Sequence, residues 1–405
     1  MDALDILTNP EDVIPFFQPI FSADEHRVIG YEILGRFRMG TEISSLGPFF
    51  NDKQIPEDYR LEVDNTVLRK ALEKAARLKE DVLWFVNRDA ELLMHDNGDQ
   101  FLQLILEFRE QGIKPEQIVL EISERNYDGE LDHLDHLLTY YRTYGIKIAI
   151  GKMGHDSSSH LDRLGQLAPE ILKVDLQALN SSATGRAYQD ILYSLSLMAR
   201  KIGATLLFEN IETVFQLQFA WKNGGRYYQG FYLKKPDAQF TDSDILKEWL
   251  RNECLTFIVS KKKKLESVFL LSEEFHTTVQ ELLNRYRKIV EYSELLAALS
   301  KEMSHMAFRM YVCDEDGYQK SPNIFKHEDG WSLQPEYSGK NWSWRPYFLE
   351  NIIKMRFRKK GILSDRYSDI ETGEVIRTFS MPLDVKDYLF IDLDAGYLYG
   401  REGLL

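Results

Sequence analysis

The stretch that decides the fold runs from Lys147 to Gly154 and reads Lys-Ile-Ala-Ile-Gly-Lys-Met-Gly. It follows a tyrosine-rich helical segment and a glycine break, so it predicts a short buried strand that ends in a loop. Neighbouring strand candidates also end in polar residues, with Glu121 on one and Lys173 on another. In a barrel of parallel strands these ends share one face, and that face carries the chemistry. Gly151 and Lys152 therefore determine what this face can do.

The region from about residue 14 to residue 233 alternates between strand-like and helix-like segments. Strands that alternate with helices indicate βαβ units and a parallel sheet. The number of strands and the length of the region favour a (β/α)8 barrel, an α/β fold, over an open sheet. The predicted strands are Phe16–Ile20, Val28–Leu34, Val82–Val86, Ile118–Ile122, Ile146–Ile150, Ile171–Val174, Thr205–Phe208 and Tyr227–Tyr232.

The pattern changes after Pro236. The region from Thr241 to about Leu299 contains neither proline nor glycine and predicts nearly continuous helix. Its run of four lysines, residues 261–264, is typical of a solvated helix face. An apolar stripe along the helix predicts either packing against a core or the seam of a dimer. The stripe consists of Leu265, Val268, Phe269, Phe275 and Val279.

Short strands and turns follow from Met306 onward. The predicted strands are Phe308–Cys313, Gly330–Leu333, Ile376–Pro382 and Tyr388–Leu393, with one helix at Tyr347–Arg358. This order indicates a small α+β domain on an antiparallel sheet, of the kind that often senses ligands. We therefore expect a barrel over residues 1–240, a helical connector over 241–300 and a sensory domain over 301–405.

The composition of the chain argues against several classes of protein. The net charge of −14 over 405 residues argues against a non-specific binder of DNA or RNA, because phosphate affinity depends on clustered Lys and Arg. Cys254 and Cys313 are the only cysteines, too few for a disulfide framework or a cysteine-rich metal site. The sequence shows no signal peptide and no apolar stretch of membrane-spanning length. We expect a cytoplasmic protein.

Polar residues recur at the ends of the predicted barrel strands. They are Glu32, Asn87, Glu121, Glu124, Lys173, Asp175, Glu209, Glu212 and Gln229. One such residue carries little weight, since a glutamate at a strand end often caps the next helix. Six strand ends with the same class of group predict a site, because carboxylate and amide oxygens on one face suit a hard cation such as Mg²⁺.

Together these motifs resemble the EAL family, which hydrolyses cyclic di-GMP on a modified (β/α)8 barrel. The resemblance spans residues 14 to 240 and rests on Gln18-Pro19-Ile20, the Glu32 to Arg36 signature, Asn87, Glu121 to Glu124, Leu172 to Asp175, Glu209 to Thr213, Gln229-Gly230-Phe231 and Lys235-Pro236. The connector and the segment from Trp342 to Phe348 are similar to the YkuI type of EAL protein, in which a PAS-like or Cache-like domain follows.

The resemblance implies a role for individual residues. Metal ligands, for Mg²⁺ or Mn²⁺, would be Glu32, Asn87, Glu121 and in part Glu209, while Lys173 would orient the attacking water and Gln229 would line the site. Glu124 would support the following loop. The dinucleotide would contact Gln18, Leu34, Arg36, Phe231 and Pro236. Arg36 suits this role because a guanidinium pairs bidentately with phosphate. Phe231 would lie against a guanine or, equally, pack at the barrel rim.

One departure from the family decides the functional expectation. Active members carry Asp-Asp-Phe-Gly where this chain has Gly151-Lys152-Met153-Gly154. Two-metal catalysis needs those carboxylates, whereas Gly151 has no side chain and Lys152 offers a cation, which we expect near Glu121 or Glu32. We therefore expect weak or absent metal binding. His155 and His160 fit exposed loop residues better than substitute ligands.

The C-terminal domain carries an aromatic group with one arginine. Trp342, Trp344, Arg345 and Tyr347, together with Asp365, Tyr367 and Thr378, resemble the ligand-lining residues of Cache-type domains. We place a sensory pocket at Trp344, Arg345 and Tyr367, suited to a small carboxylate or amine. A packed aromatic core, with Arg345 bound to backbone, explains the same residues equally well.

Three functions follow from the sequence. The leading hypothesis is a cyclic di-GMP receptor, dimeric like its family, that has lost the metal aspartates. The second is a metal-dependent phosphodiesterase that yields linear pGpG through a compensating ligand. The third is a protein-interaction scaffold that no longer binds nucleotide. The retained residues Gln18, Arg36, Glu209 and Phe231 argue against it.

Overall fold

The computed structural model describes residues 3–123, 127, 129–153, 161–180, 186–345 and 348–399. It forms two compact units, Met1–Leu255 and Thr256–Leu405. None of the helices it describes is long and apolar enough to cross a membrane.

The first unit is built on a closed barrel, as predicted. Its eight described strands are β1 (Val13–Ser22), β2 (Val28–Met39), β4 (Leu83–Asp89), β5 (Ile118–Ser123), β6 (Lys147–Met153), β7 (Ile171–Asp175), β8 (Thr205–Glu209) and β9 (Tyr227–Tyr228). A short strand, β3 (Glu42–Ser45), extends β2 at the rim. Strand β9 is shorter than the predicted Tyr227–Tyr232, since Gly230 begins a turn whose carbonyl accepts from Leu233 and Lys234.

One strand makes this a modified barrel. Strand β1 runs antiparallel to both of its neighbours, β2 and β9, while the other barrel pairs are parallel. Only residues 23–27 separate β1 from β2, and such a connection allows a hairpin but is too short for the crossover that parallel strands need.

Helices surround the barrel. They are α1 (Ala3–Thr8), α2 (Gly47–Asn51), α3 (Glu57–Ala75), α4 (Ala90–Met94), α5 (Asp99–Glu107), α6 (Leu131–Thr143), α7 (Leu161–Leu167), α8 (Arg186–Ile202) and α9 (Val214–Lys222). Helix α3 shows why they pack: Val63, Val67 and Ala71 recur every fourth residue and are all buried.

A layer of apolar side chains fills the barrel interior and sets the position of the site. It contains Ile20, Phe85, Val119, Ala149, Ile171 and Leu207. Alternate residues of a strand point to the same side. The residues two positions further along β4, β5, β6, β7 and β8 therefore form the next layer, and they are Asn87, Glu121, Gly151, Lys173 and Glu209.

The second unit is an α+β domain with an antiparallel sheet. Its strands are β10 (Ala307–Asp314), β11 (Asn323–His327), β12 (Gly330–Gln334), β13 (Ile362–Leu363), β16 (Thr378–Pro382) and β17 (Asp387–Leu393), in the order β12-β11-β10-β17-β16-β13. A separate hairpin joins β14 (Tyr367–Ser368) to β15 (Val375–Ile376). The helices are α11 (Tyr292–Glu302), α12 (Phe348–Arg358) and α13 (Ala395–Tyr399).

Helix α10 (Lys247–Arg285) begins in the first unit and continues into the second. The region predicted as nearly continuous helix to about Leu299 is interrupted, because residues 286–291 are not helical and α11 starts at Tyr292. The residues of the apolar stripe also fall into two groups, one buried and one exposed. Phe275 and Val279 lie in the core of the second unit, whereas Leu265 and Phe269 are 55% and 63% exposed.

Candidate functional site

Three carboxylates converge on one lysine at the carboxyl ends of the parallel strands. The Nζ atom of Lys173 lies 2.6 Å from Oε2 of Glu121, 3.2 Å from Oε2 of Glu32 and 3.3 Å from Oε2 of Glu209. Asn87 donates from Nδ2 to Oε1 of Glu32 at 2.7 Å. The centre that the sequence placed at the strand ends is therefore held together by Lys173.

Burial and charge control ionisation in this centre. Burial works against the charge on Lys173, but the three carboxylates outweigh it and raise its pKa well above the usual value. Burial also opposes the charge on Glu32, yet Lys173, Asn87 and Gln229 hold its pKa below the usual value. Burial raises the pKa of Glu209. It raises the pKa of Glu121 to about 8, with Glu32 and Glu209 adding to the effect and Lys173 opposing it.

The position of the family aspartates lies in strand β6. The pairing of β6 with β7 shifts between Ile150 and Met153, so Gly151 and Lys152 form a bulge at the centre. A Cβ atom at Gly151 would lie 2.5 Å from Oε1 of Glu121, so the Glu121 carboxylate occupies the space a side chain would need. The side chain of Lys152 lies outside the described residues, as do Glu124, His155 and His160.

The predicted dinucleotide residues of β1 and β2 line up on one side of the hairpin. Gln18 pairs with Glu32, Phe16 with Leu34 and Ile14 with Arg36. Directly opposed residues of antiparallel strands share a face, and so do alternate residues of one strand. Leu34 and Arg36 therefore extend outward from Glu32 in a row, and Gln18 lies beside Glu32. The guanidinium of Arg36 lies 5.4 Å from the centre of the Phe16 ring.

Gln229, Phe231 and Pro236 follow β9 at the same rim. The backbone N–H of Gln229 donates to the carbonyl of Phe208, and its carbonyl accepts from Ile211. Phe231 is 55% exposed, with Lys235 Nζ 5.7 Å from the ring centre. The residue after Pro236, Asp237, bonds with Phe17 through the backbone in both directions, which brings this segment beside β1 and Gln18.

Two further polar residues belong to the rim but not to the centre. Asp175 accepts from the backbone of Gln177 at 2.7 Å and from Nδ2 of Asn210 at 2.9 Å. Asn210 itself has a φ of 56°, a left-handed conformation that asparagine tolerates better than most residues. Sequence analysis passed over Asn210; its place in Glu209-Asn210-Ile211-Glu212 was the available signal.

The centre fits a metal only in part. Glu32, Glu121 and Glu209 supply oxygen ligands, and Oε1 of the buried Gln229 has no hydrogen-bond partner among the described residues. Against this, the ammonium of Lys173 already contacts all three carboxylates, and Gly151 contributes no ligand. In the part of the chain that is described, no group of three or more His, Cys, Asp and Glu has the arrangement of a metal site.

The second unit places the predicted sensory residues apart. Arg345 lines a cavity together with Trp342. Trp344 is 64% exposed, and the Tyr367 hydroxyl donates to Thr378 at 2.6 Å. Neither residue lines that cavity, and Tyr347 lies outside the described residues. The sequence analysis missed Arg309, Asp369 and Glu371, which do line it.

The fold and this centre define a class of protein: the chain belongs to the EAL domain family, which matches residues 2–236. A second family, described as an EAL-domain associated signalling protein domain, matches residues 240–405. The predicted resemblance to the EAL family is confirmed.

Individual relatives extend the comparison. The chain is 52% identical over 407 residues to the uncharacterized EAL-domain containing protein YkuI of Bacillus subtilis, and the match covers both chains completely. It matches a crystal structure of YkuI, in complex with the substrate c-di-GMP and calcium, with a TM-score of 0.95 over all of both chains. It is 27% identical to the probable cyclic di-GMP phosphodiesterase PdeG of Escherichia coli, over 56% of this chain and 45% of PdeG.

The pKa of Glu121 predicts how stability depends on pH. Between about pH 4.5 and pH 8 the folded barrel keeps a proton on Glu121 that the unfolded chain has lost. The folded state then binds more protons, so the free energy of unfolding falls as the pH rises through this window. Lys173 stays charged in both states there and adds no slope. We expect denaturant unfolding at pH 5, 6, 7 and 8 to show a smaller fall for Glu121→Gln than for the wild type. Parallel curves would contradict this protonation.

Proposed function

We propose that this protein is a cyclic di-GMP receptor whose barrel binds the dinucleotide with little or no hydrolysis. The observation that carries the proposal is the contact of the Lys173 ammonium with Glu32, Glu121 and Glu209, beside a position where Gly151 has no side chain. YkuI, with 52% identity over the full length, was crystallised with c-di-GMP, which supports the same ligand here.

The residues of the rim suit a cyclic dinucleotide. Arg36 can donate two parallel hydrogen bonds to a phosphate, and Gln18 lies opposite Glu32 at the edge of the buried centre. Exposed Phe231, with a cation beside its ring, can stack on a base at the part of the rim that follows β9. Binding therefore uses residues that are retained, whereas a bridging ligand for two metals is missing at residue 151.

Calorimetric titration of the full chain with cyclic di-GMP tests the proposal. It is done with EDTA, with Mg²⁺, with Mn²⁺ and with Ca²⁺, and the product mixtures are then separated chromatographically. We expect binding in all four conditions and no more than traces of pGpG. No binding at about 1 mM ligand would contradict the receptor proposal and favour the scaffold hypothesis. A dissociation constant above that concentration corresponds to a binding free energy weaker than ~4 kcal/mol.

A phosphodiesterase is the second candidate, and one observation favours it. The unpartnered Oε1 of buried Gln229 faces a centre that keeps three carboxylates, and an unmet acceptor there could be satisfied by a metal-bound water. YkuI was crystallised in complex with calcium, which is consistent with cation binding by a protein of this kind. Metal-dependent turnover in the titration above would establish this alternative.

Arg36 gives the sharpest test of nucleotide recognition. We expect Arg36→Ala to weaken cyclic di-GMP binding by about 1.5–3 kcal/mol, the scale of a hydrogen bond to a charged group. Arg38→Ala is the matched control, because Arg38 lies two residues further along β2 and is exposed. Equal affinities for Arg36→Ala and the wild type would show that the phosphate does not bind at this part of the rim.

We also propose that the protein is a homodimer. Exposed Leu265 and Phe269 on α10 offer an apolar surface, and barrel pairing would be an alternative interface. Sedimentation equilibrium should give the dimer mass, and a mass of one chain at every concentration would contradict this. Phe269→Glu, compared with Val385→Glu at another exposed apolar position, distinguishes pairing through α10 from pairing through the barrel.

A further inference from the structure

Helix α12 packs on the second unit through only one of its faces. Phe348, Ile352 and Met355 are buried together with side chains of β10 and β17. Their spacing of three and four residues places them on one side of the helix. This packing leaves apolar residues elsewhere on α12 without an explanation.

A second set of apolar side chains lies on the exposed side of α12. Leu349 and Ile353 are about half exposed, and Phe357 is 81% exposed. Each is four residues from the next, so the three form one row along the helix, which we call the α12 row. Single exposed apolar side chains are common on protein surfaces, whereas contiguous ones mark interaction sites.

Basic residues lie on both sides of the α12 row. Successive residues of a helix are about 100° apart, so Arg356 and Arg358 flank the row on opposite sides. Lys354 lies on the same side as Arg358, one turn earlier. Lys359 and Lys360 follow directly after the helix, and all five basic residues are exposed. The row is therefore bordered by cations.

These cations outnumber their acidic partners. Three of the five form ion pairs on the surface, which are Lys354–Glu350, Arg356–Glu315 and Lys360–Glu273. In the part of the chain that the structure describes, no ion pair forms at Arg358 or Lys359. Two positive charges therefore remain beside the row, although the whole chain has a net charge of −14. Exposed ion pairs are weak, so an anionic partner can also replace their acidic members.

The charge distinguishes between the partners that could cover the row. In a pair formed by two copies of α12, the excess cations of both copies would come together, and like charges oppose such pairing. Cations in the last turn also stabilise a helix through its dipole, but this explains Arg356 and Arg358 and not the exposed apolar row. A partner with an anionic surface and an apolar interior satisfies both features.

We propose that the α12 row docks on an anionic lipid membrane. Its apolar side chains enter the boundary between headgroups and acyl chains, while Arg358 and Lys359 contact lipid phosphates. The helix lies in the plane of the membrane surface, because its opposite face stays packed on the sheet. A row of three side chains is short, so binding is reversible and depends on lipid charge and on salt. The proposal is independent of nucleotide binding by the barrel.

The test is sedimentation of the full chain with sucrose-loaded vesicles. One set of vesicles consists of phosphatidylcholine, and the other also contains about 30% anionic phosphatidylglycerol. At about 50 mM salt we expect the partition coefficient for the anionic vesicles to be at least tenfold larger than for the neutral ones. At about 500 mM salt most of this difference should disappear, because salt screens exposed charges.

Variants locate the contact on α12. Phe357→Ser should lower the partition coefficient for anionic vesicles about tenfold or more, since it removes the most exposed side chain of the row. Val385→Ser, at another exposed apolar position, is the matched control and should bind like the wild type. The pair Arg358→Gln and Lys359→Gln should also lose about tenfold or more. The control for charge is the pair Lys261→Gln and Lys262→Gln in the lysine run of α10.

The outcomes separate the membrane from its competitors. A wild-type protein that does not sediment with anionic vesicles at about 50 mM salt would overturn the proposal. Equal losses for the α10 lysine pair and the Arg358–Lys359 pair would contradict a contact through α12. A dimer that Phe357→Ser converts to a monomer in sedimentation equilibrium, with vesicle binding unchanged, would show that the row pairs two copies of the chain instead.

Discussion

Replacing Lys173 with methionine should lower the free energy of unfolding of the barrel by about 3–5 kcal/mol at pH 8, the scale for removing one partner of a buried ion pair. Methionine keeps most of the side-chain volume, so the effect isolates the charge. Lys173 is fully buried, and its ammonium is within 3.3 Å of three carboxylates. Without it, Glu32, Glu121 and Glu209 would face one another with no cation between them.

The loss of stability in Lys173→Met should depend on pH and on the presence of a divalent metal ion. The unpaired carboxylates of the variant would take up protons more readily than in the unfolded chain, so its stability relative to the wild type should recover as the pH falls towards 5. Ca²⁺ should stabilise the variant more than the wild type, because the ion would enter the place of the ammonium.

Lys247→Met provides the matched control. Lys247 pairs with Asp244 at 2.9 Å, but both side chains are nearly half exposed, and surface pairs contribute about 0–1 kcal/mol. Urea unfolding of the three proteins at pH 5 and pH 8 gives the comparison. Similar losses for Lys173→Met and Lys247→Met would mean that Lys173 does not act as the counter-cation of the centre.

The sequence predicts the barrel well because its signals are local. Continuous apolar runs such as Ile118 to Leu120, followed by an acidic residue, mark a strand buried on both faces and its carboxyl end. Alternation of strands and helices then fixes the parallel order. The same logic places Glu121, Lys173 and Glu209 on one face from the sequence alone.

The internal arrangement of the centre does not follow from those signals. The sequence analysis expects Lys152 near Glu121 or Glu32, and this stays a prediction because the side chain of Lys152 lies outside the described residues. The described residues show Lys173 in contact with Glu32, Glu121 and Glu209, an arrangement that the strand pattern does not specify. Both lysines lie on adjacent strands near the same level. The contacts that Lys173 makes across the barrel depend on side-chain direction and on the local register at residues 151–152, neither of which a strand pattern specifies.

The second unit shows a similar limit. Arg309 stands in the otherwise apolar run of β10, which was a signal that it is buried with partners. Its partners Asp369 and Asp392 lie 60 and 83 residues further along the chain, so no local pattern identifies them. The break after α10 is likewise set by tertiary packing, because residues 286–291 contain no glycine or proline while Tyr286 and Ile289 pack against the core.

Restoring the two family aspartates should convert the protein into a metal-binding hydrolase. In Gly151→Asp with Lys152→Asp, the new carboxylates would join Glu32, Glu121 and Glu209, and so supply the bridging oxygens that a two-metal site requires. The space for a side chain at residue 151 is tight, since a Cβ there would lie 2.5 Å from Oε1 of Glu121. That oxygen ends a flexible side chain, and it can turn away once a divalent ion draws both carboxylates towards itself.

The expected results form a series. The double variant should be less stable than the wild type without metal, because a carboxylate is added beside Glu121, and should regain that stability with Mn²⁺. It should bind Mn²⁺ at least tenfold more tightly in calorimetry and release pGpG from cyclic di-GMP. Lys152→Asp alone should gain less Mn²⁺ affinity and less hydrolysis, since Gly151 would still leave one bridging position empty. A double variant that folds and binds the nucleotide, but neither binds metal nor forms product, would show that residues 154–160 also prevent catalysis.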